Sequence, residues 1–100
     1  MIAVRIVVTG KVQGVFFRQS TLSKALDLKL RGFVMNQSDG SVLIEAIGEE
    51  EQIQSLFEWC HRGPLPAKVK NVHKVPIDFF KGYDTFLIKK CQCLKYVDRF

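Results

Sequence analysis

The chain begins with apolar side chains that repeat every second residue. Four of them share one parity: Ile2, Val4, Ile6 and Val8. Side chains two residues apart lie on the same face of a β-strand. The pattern therefore predicts a first strand over residues 2–8 with one buried face, and Gly10 lies near its end.

Two segments repeat apolar residues at helical spacing instead. The first follows a glycine-containing loop and contains Leu22, Ala25 and Leu26. The second has a complete i, i+3, i+4, i+7 stripe, made of Ile53, Leu56, Phe57 and Cys60. Three glutamates at 49–51 favour the N-terminus of this second helix, and Gly63 with Pro64 ends it.

Two further strands are predicted to form a hairpin. They cover residues 32–36 and 41–47, and the connection between them contains Asp39 and Gly40. Asp-Gly supplies the positive φ that a tight hairpin turn needs. Asn36 is therefore expected at the mouth of the hairpin.

A fourth strand is predicted over residues 68–77. Val69 and Val72 are out of step in it, which predicts a bulge near Asn71, and Phe86 with Ile88 suggests a short fifth strand. The order βαββαβ is that of the α+β, ferredoxin-like sandwich, in which two helices cover one face of an antiparallel sheet.

Composition agrees with a single folded domain. The chain has 100 residues, of which 47% are hydrophobic and 25% charged, as in ordinary globular proteins. We expect one domain over residues 1–90 and a C-terminal extension of unknown conformation over 91–100. The net charge of +5 favours an anionic partner, and does not distinguish phosphate from nucleic acid or a membrane surface.

Neither a membrane segment nor a metal site is expected. No apolar stretch approaches the roughly 20 residues that span a bilayer, and Arg5 interrupts the N-terminal apolar run. The three cysteines, Cys60, Cys91 and Cys93, lack the spacing of a zinc site and are read as free thiols. Both observations predict a cytoplasmic protein without membrane contact.

The loop before the first helix is the strongest candidate for chemistry. Backbone N–H groups at a helix N-terminus lack intrahelical partners and can bind an anion, and Gly14 allows the backbone to turn in on it. Arg18, near the helix start, can contact two phosphate oxygens at once. The alternative for these two residues is a turn glycine and a solvated arginine.

Two longer segments favour the anion-binding interpretation of Gly14 and Arg18 over the alternative. Residues 9–18, TGKVQGVFFR, and residues 32–42, GFVMNQSDGSV, resemble the two signature segments of the acylphosphatase family. The resemblance runs from about Val4 to Lys89. It implies the ferredoxin-like fold and a metal-free, cofactor-free hydrolase that splits the carboxyl–phosphate bond of small acyl phosphates into carboxylate and inorganic phosphate.

The resemblance also implies a role for each site residue. Arg18 and Asn36 would be catalytic, Arg18 holding the phosphate and Asn36 orienting the attacking water. The substrate phosphate would be bound by the loop and its arginine: Gln13, Gly14, Val15, Phe16, Phe17 and Arg18. No metal ligand is implied, and we assign no catalytic role to His61 or His73.

These few residues suffice on chemical grounds. The leaving carboxylate has a conjugate acid with a pKa near ~4, so it departs without a general acid. Phosphoryl transfer depends mainly on positioning an in-line nucleophile and stabilising charge on the phosphoryl oxygens. The amide of Asn36 is no base at neutral pH, but its carbonyl oxygen can accept a hydrogen bond from water.

Two alternatives remain. RNA-recognition modules share this topology and basic charge, but they present aromatic side chains on their central strands. The corresponding strands here carry Val4, Ile6, Val42, Leu43, Ile44 and Glu45, so no nucleic-acid partner is expected. The second alternative is a non-catalytic domain that binds acyl or carbamoyl phosphate, against which the presence of Arg18 and Asn36 argues.

Two departures from the family pattern stand out. Lys29 occupies a helix exit where the family usually has glycine, and a left-handed residue there would cost about 1 kcal/mol. Residues 91–100 run past the usual family end and carry apolar side chains that could cover the open sheet face, add a strand or pair two subunits. We nevertheless expect a monomer.

Overall fold

A computed structural model describes residues 1–78 and 83–89. In these ranges the elements are β1 (Ile2–Lys11), α1 (Phe17–Asp27), β2 (Arg31–Asn36), β3 (Val42–Gly48), α2 (Glu50–Cys60), β4 (Lys68–Pro76) and β5 (Phe86–Ile88). The predicted order of strands and helices is thereby confirmed, including the short fifth strand.

The strands form one sheet in the order β4-β1-β3-β2-β5. β1 pairs antiparallel with both β3 and β4, and β2 pairs antiparallel with β3. Only the β2–β5 pair is parallel among the described strands, so the sheet is mostly antiparallel. Side chains from both helices share one core with β1 and β3, which confirms the α+β, ferredoxin-like sandwich with both helices on one face.

Helix α2 follows its predicted stripe closely. Ile53, Leu56 and Cys60 are buried, and Phe57 is partly buried against the same core. The helix begins with a capping box between Glu49 and Gln52, and its last turn is closed by His61, whose Nδ1 lies 2.9 Å from the Phe57 carbonyl oxygen. Burial raises the pKa of the Cys60 thiol to about 12, so this thiol is neutral at physiological pH.

Helix α1 was predicted less accurately. Its buried residues are Phe17, Thr21 and Ala25, while Leu26, expected on the apolar face, is exposed. Thr21 is accommodated in the core because its hydroxyl donates a 2.8 Å hydrogen bond to the Phe17 carbonyl. A threonine satisfied in this way is invisible to a pattern that counts only apolar residues.

The predicted irregularity in β4 is confirmed opposite the end of β1. Thr9 pairs with Asn71, and the next residue, Gly10, pairs with Val69, so Lys70 is the extra residue of a bulge. The bulge explains why Val69 and Val72 both pack against the helix-side core although they are three residues apart.

The face of the sheet away from the helices corrects one sequence argument. Val4, Ile6, Val42 and Ile44 all belong to the helix-side core, so they say nothing about a nucleic-acid surface. The opposite face carries a smaller cluster in which Phe33, Met35 and Leu43 are buried and Val7 and Tyr83 pack beside them.

Some expectations fall on residues that the structure does not describe. Residues 91–100, including Cys91 and Cys93, lie outside the described ranges, while Cys60 is a free thiol. Within residues 1–78 and 83–89, no helix is long and apolar enough to cross a bilayer.

Candidate active site

A cavity of about 410 Å³ opens where the end of β1, the start of α1 and the ends of β2 and β5 meet. Its walls are formed by Val12, Gly14, Phe16, Phe17, Arg18, Gln19, Asn36 and Ile88. The fold therefore brings Arg18 and Asn36, which are separated by one helix and one strand along the chain, to the same cavity.

Positive φ values occur at every second residue of the loop before α1 begins. Gly14 has φ +74° and Phe16 has φ +65°, whereas neither Val15 nor Phe17 has a positive φ. Alternating right- and left-handed residues turn successive N–H groups towards one side and form an anion-binding concavity. A Cβ at Gly14 would meet nothing within 4 Å, so glycine is favoured there by backbone conformation and not by space.

The N-terminus of α1 has no side-chain cap. Phe16 occupies the N-cap position, where it makes no capping hydrogen bond, and the first turn contains no acidic residue. The first N–H groups of the helix are therefore not satisfied by a local side chain or carboxylate. Together with the positive end of the helix dipole, they favour an anion in the cavity.

Arg18 is the second residue of α1 and lines the cavity. Its side chain is half-buried and forms no ion pair with any residue in the described part of the chain. A guanidinium without a carboxylate partner next to a helix N-terminus adds a full positive charge to the same site.

Asn36 is the last residue of β2 and pairs with Val42 on β3. Its Oδ1 atom is buried and has no hydrogen-bond partner among the described residues. Leaving a buried acceptor unsatisfied costs about 1–3 kcal/mol, so such atoms are uncommon in folded proteins. Asn36 also lines the cavity, so its amide belongs to the polar groups of the site.

The turn after Asn36 is held by its own polar groups. Ser41 donates two hydrogen bonds to the Asp39 carboxylate, from its backbone N at 2.9 Å and from its hydroxyl at 2.6 Å. These bonds hold the pKa of Asp39 below its ordinary value. Gly40, with φ +94°, supplies the predicted positive φ of the turn.

Gln13 joins the loop to this turn. Its Nε2 donates hydrogen bonds to the carbonyl oxygens of Gln37, at 2.8 Å, and Ser41, at 2.9 Å. The turn begins directly after Asn36, so one side chain links the loop before α1 to the strand that carries the asparagine. No local pattern could reveal this contact, because the partners lie 24 and 28 residues away.

The predicted site residues thus divide into two groups. Gly14, Phe16, Phe17, Arg18 and Asn36 line the cavity. The side chain of Val15 is buried in the core instead, and that of Gln13 contacts the turn.

Three wall residues were missed by the sequence analysis. Val12 and Gln19 flank the candidate residues 13–18, a position that could have suggested them, whereas Ile88 comes from β5, which is remote in sequence.

Both histidines lie outside the walls of this cavity. His61 closes α2, and His73 is exposed on β4. No group of three or more His, Cys, Asp or Glu side chains could hold a metal ion within residues 1–78 and 83–89.

Comparison with known proteins points to one family. The family model described as Acylphosphatase matches residues 4–88. The acylphosphatase of Marinobacter nauticus is 52% identical over 67 residues, which cover 67% of this chain and 73% of the relative.

Solved structures agree with the sequence comparison. An acylphosphatase from Coxiella burnetii matches with a TM-score of 0.83 and 42% identity, covering 88% of this chain and 92% of that one. The acylphosphatase from Bacillus subtilis matches with a TM-score of 0.85 and 37% identity, covering 89% and 99%. Fold and sequence similarity therefore point to the same family.

Proposed function

The chain belongs to the acylphosphatase family and is an acylphosphatase, and we propose that its reaction takes place in the cavity between the 13–17 loop and Asn36. The observation that carries this proposal is that Arg18 and Asn36 line one cavity, and that the Oδ1 atom of Asn36 has no hydrogen-bond partner among the described residues. One group suits the substrate phosphate, and the other suits the water that attacks it.

Arg18 and the loop bind the phosphoryl group. The guanidinium donates two hydrogen bonds to phosphoryl oxygens, and the N–H groups of the loop and of the first turn of α1 donate to the remaining oxygens. These donors are already oriented before substrate arrives, so they stabilise charge on the phosphoryl oxygens without reorganising during the reaction.

Asn36 orients the nucleophile. Its Oδ1 accepts a hydrogen bond from a water molecule, which aims a lone pair of that water at phosphorus in line with the bond that breaks. Because an amide does not take up a proton at neutral pH, a phosphoryl oxygen of the substrate receives the proton of the water. The electron pair of the broken bond leaves with the carboxylate, which needs no proton.

Gln13 acts as a positioning residue. Its two hydrogen bonds to the turn at residues 37–41 set the distance between the phosphate-binding loop and the end of β2. In-line attack is sensitive to displacements of about 1 Å, so this link supports the role of Asn36 without touching the substrate.

The proposal is tested by hydrolysis of benzoyl phosphate in excess EDTA, with inorganic phosphate as a competitive inhibitor. Arg18→Gln should lose both turnover and phosphate affinity, because it removes the charged donor. Asn36→Ala should lose turnover on the order of a thousandfold, as for removal of one oriented active-site group, and keep its phosphate inhibition constant.

Lys24→Gln is the matched control, because it removes a positive charge from the last turn of the same helix. It should leave both constants unchanged. Equal loss of phosphate affinity in Arg18→Gln and Asn36→Ala would contradict the division of roles. Absence of turnover by the folded wild-type protein would overturn the proposed reaction.

The remaining expectations concern the location, oligomeric state, partners and domain bounds of the enzyme. We propose that it acts in the cytoplasm as a monomer on small acyl phosphates, without metal, cofactor, nucleic-acid or membrane partners. Residues 1–90 would form the catalytic domain and 91–100 an extension. Light scattering during gel filtration tests the oligomeric state, and a filter-binding assay with single-stranded RNA tests the RNA-recognition alternative, which the comparisons do not favour.

A further inference from the structure

The walls of the cavity differ in chemical character. Arg18, Gln19 and Asn36 are its polar wall residues, whereas Val12, Phe16, Phe17 and Ile88 are apolar. The proposed binding of the phosphoryl group uses Arg18 and backbone N–H groups, and none of the apolar side chains. A volume of about 410 Å³ lies within the range of roughly 300–1,000 Å³ typical of sites for whole small molecules, so space remains for an acyl group.

Phe16 is the unusual member of the apolar side. Its side chain is 70% exposed, whereas the neighbouring Phe17 is 1% exposed and belongs to the helix-side core. Phe16 belongs to neither hydrophobic cluster of the described residues. Its ring therefore contributes little to the packing of the fold.

The backbone at Phe16 is also unfavourable. A φ of +65° places a bulky residue in the left-handed region, where glycine or asparagine is the usual choice. Neither packing nor backbone preference accounts for phenylalanine here. Strained residues of this kind concentrate at sites where a ligand makes use of them.

We propose that Phe16 contacts the acyl group of the substrate and selects acyl phosphates with an aromatic or bulky apolar acyl part over acetyl phosphate. The inference rests on the proposed function, since it requires the phosphoryl group to be bound by Arg18. With phosphorus held there, an acyl group that stays within the cavity meets its apolar wall residues, of which Phe16 is the most exposed. An aromatic acyl group then stacks on the Phe16 ring and removes apolar surface of both from water.

The test compares two substrates in each variant, because any change in phosphate binding is common to both. The ratio of kcat/KM for benzoyl phosphate to that for acetyl phosphate should fall about tenfold in Phe16→Ala, since a lost aromatic contact is worth about that factor. Phe16→Leu, which keeps an apolar side chain, should retain most of the ratio. Leu65→Ala, at a fully exposed residue outside the cavity walls, is the control and should not change the ratio.

A binding measurement accompanies the kinetics. Benzylphosphonate should inhibit the wild-type enzyme more strongly than methylphosphonate, and Phe16→Ala should reduce that preference by the same factor as the substrate ratio. An unchanged ratio in Phe16→Ala, with wild-type turnover intact, would overturn the inference and leave the proposed function standing. If the wild-type protein hydrolyses neither substrate, the inference about Phe16 and the proposed function are both overturned.

Discussion

The two ends of helix α1 carry the same backbone feature and use it differently. Phe16 precedes the helix with φ +65°, and Lys29 follows it with φ +60°. At the C-terminal end the unusual conformation is accompanied by hydrogen bonds. Lys29 N donates to the Leu26 carbonyl at 3.0 Å and Leu30 N to the Ala25 carbonyl at 2.9 Å, the pattern of a Schellman motif.

At the N-terminal end of α1, no hydrogen bonds of this pattern accompany the left-handed residue within the described part of the chain. Phe16 makes no side-chain cap, and the first turn borders a cavity that Arg18 and Asn36 line. A left-handed residue other than glycine is therefore not by itself a sign of function. The difference lies in whether the polar groups around it are satisfied within the fold or left available to a ligand.

Among changes that separate the two ends of α1, the largest effect is expected from loosening the N-terminal loop from the turn that follows Asn36. Gln13→Glu places a carboxylate against the two carbonyl oxygens that now accept hydrogen bonds. We expect kcat to fall by about ten- to a hundredfold because Asn36 is displaced, while the inhibition constant of inorganic phosphate changes little.

Steady-state kinetics in the presence of inorganic phosphate measures kcat and the phosphate inhibition constant separately. Gln54→Glu, at an exposed position on α2, is the control. A parallel loss of phosphate affinity and kcat in Gln13→Glu would show that the residue serves the phosphate site directly, against the positioning role.

A smaller effect is expected when the backbone of the phosphate loop is altered. Gly14→Ala should lower the free energy of unfolding by about 1 kcal/mol, because a Cβ is unfavourable at positive φ even where space is available. It should also weaken phosphate inhibition, since the N–H groups of the loop shift.

Gly40→Ala provides a matched comparison in urea unfolding and phosphate inhibition. Gly40 also has positive φ and open space around its Cα, so the loss of stability should be similar. Its phosphate inhibition constant should stay at the wild-type value. Weakened inhibition in both variants would mean that the loop has no special role in anion binding.

The smallest effect is expected at the other end of α1. Lys29→Gly relieves left-handed strain of about 1 kcal/mol, partly offset by the greater freedom of glycine in the unfolded chain. A net gain of about 0.5 kcal/mol should raise the Tm by roughly 2–4 °C without changing kcat/KM. A change in kcat/KM would contradict the view that this end of the helix is purely structural.

Several features could be predicted because they depend on short stretches of chain. The alternation in β1 and the stripe of α2 are repeated over enough residues to identify both elements. The bulge near Asn71 was visible as two valines out of step, and it occurs there. Left-handed Lys29 was expected from its place at a helix exit that usually carries glycine.

The candidate site was less accessible to the sequence. Arg18 and Asn36 were identified by resemblance to the family, and the comparisons identify the family without testing the role of either residue. Phe16 could not be recognised as left-handed, because phenylalanine has no preference for that region.

Other features depended on contacts between segments far apart in the chain. The stripe of α1 was assigned imperfectly because a buried threonine, Thr21, replaces an apolar residue. Three other features join remote segments: the hydrogen bonds of Gln13 to the turn, the position of Ile88 in the cavity wall and the parallel pairing of β5 with β2.

Local patterns report on neighbours along the chain, so they defined the elements and the motif residues. The cavity exists only once the sheet and α1 pack together, because its walls come from α1, β2, β5 and the loop between β1 and α1.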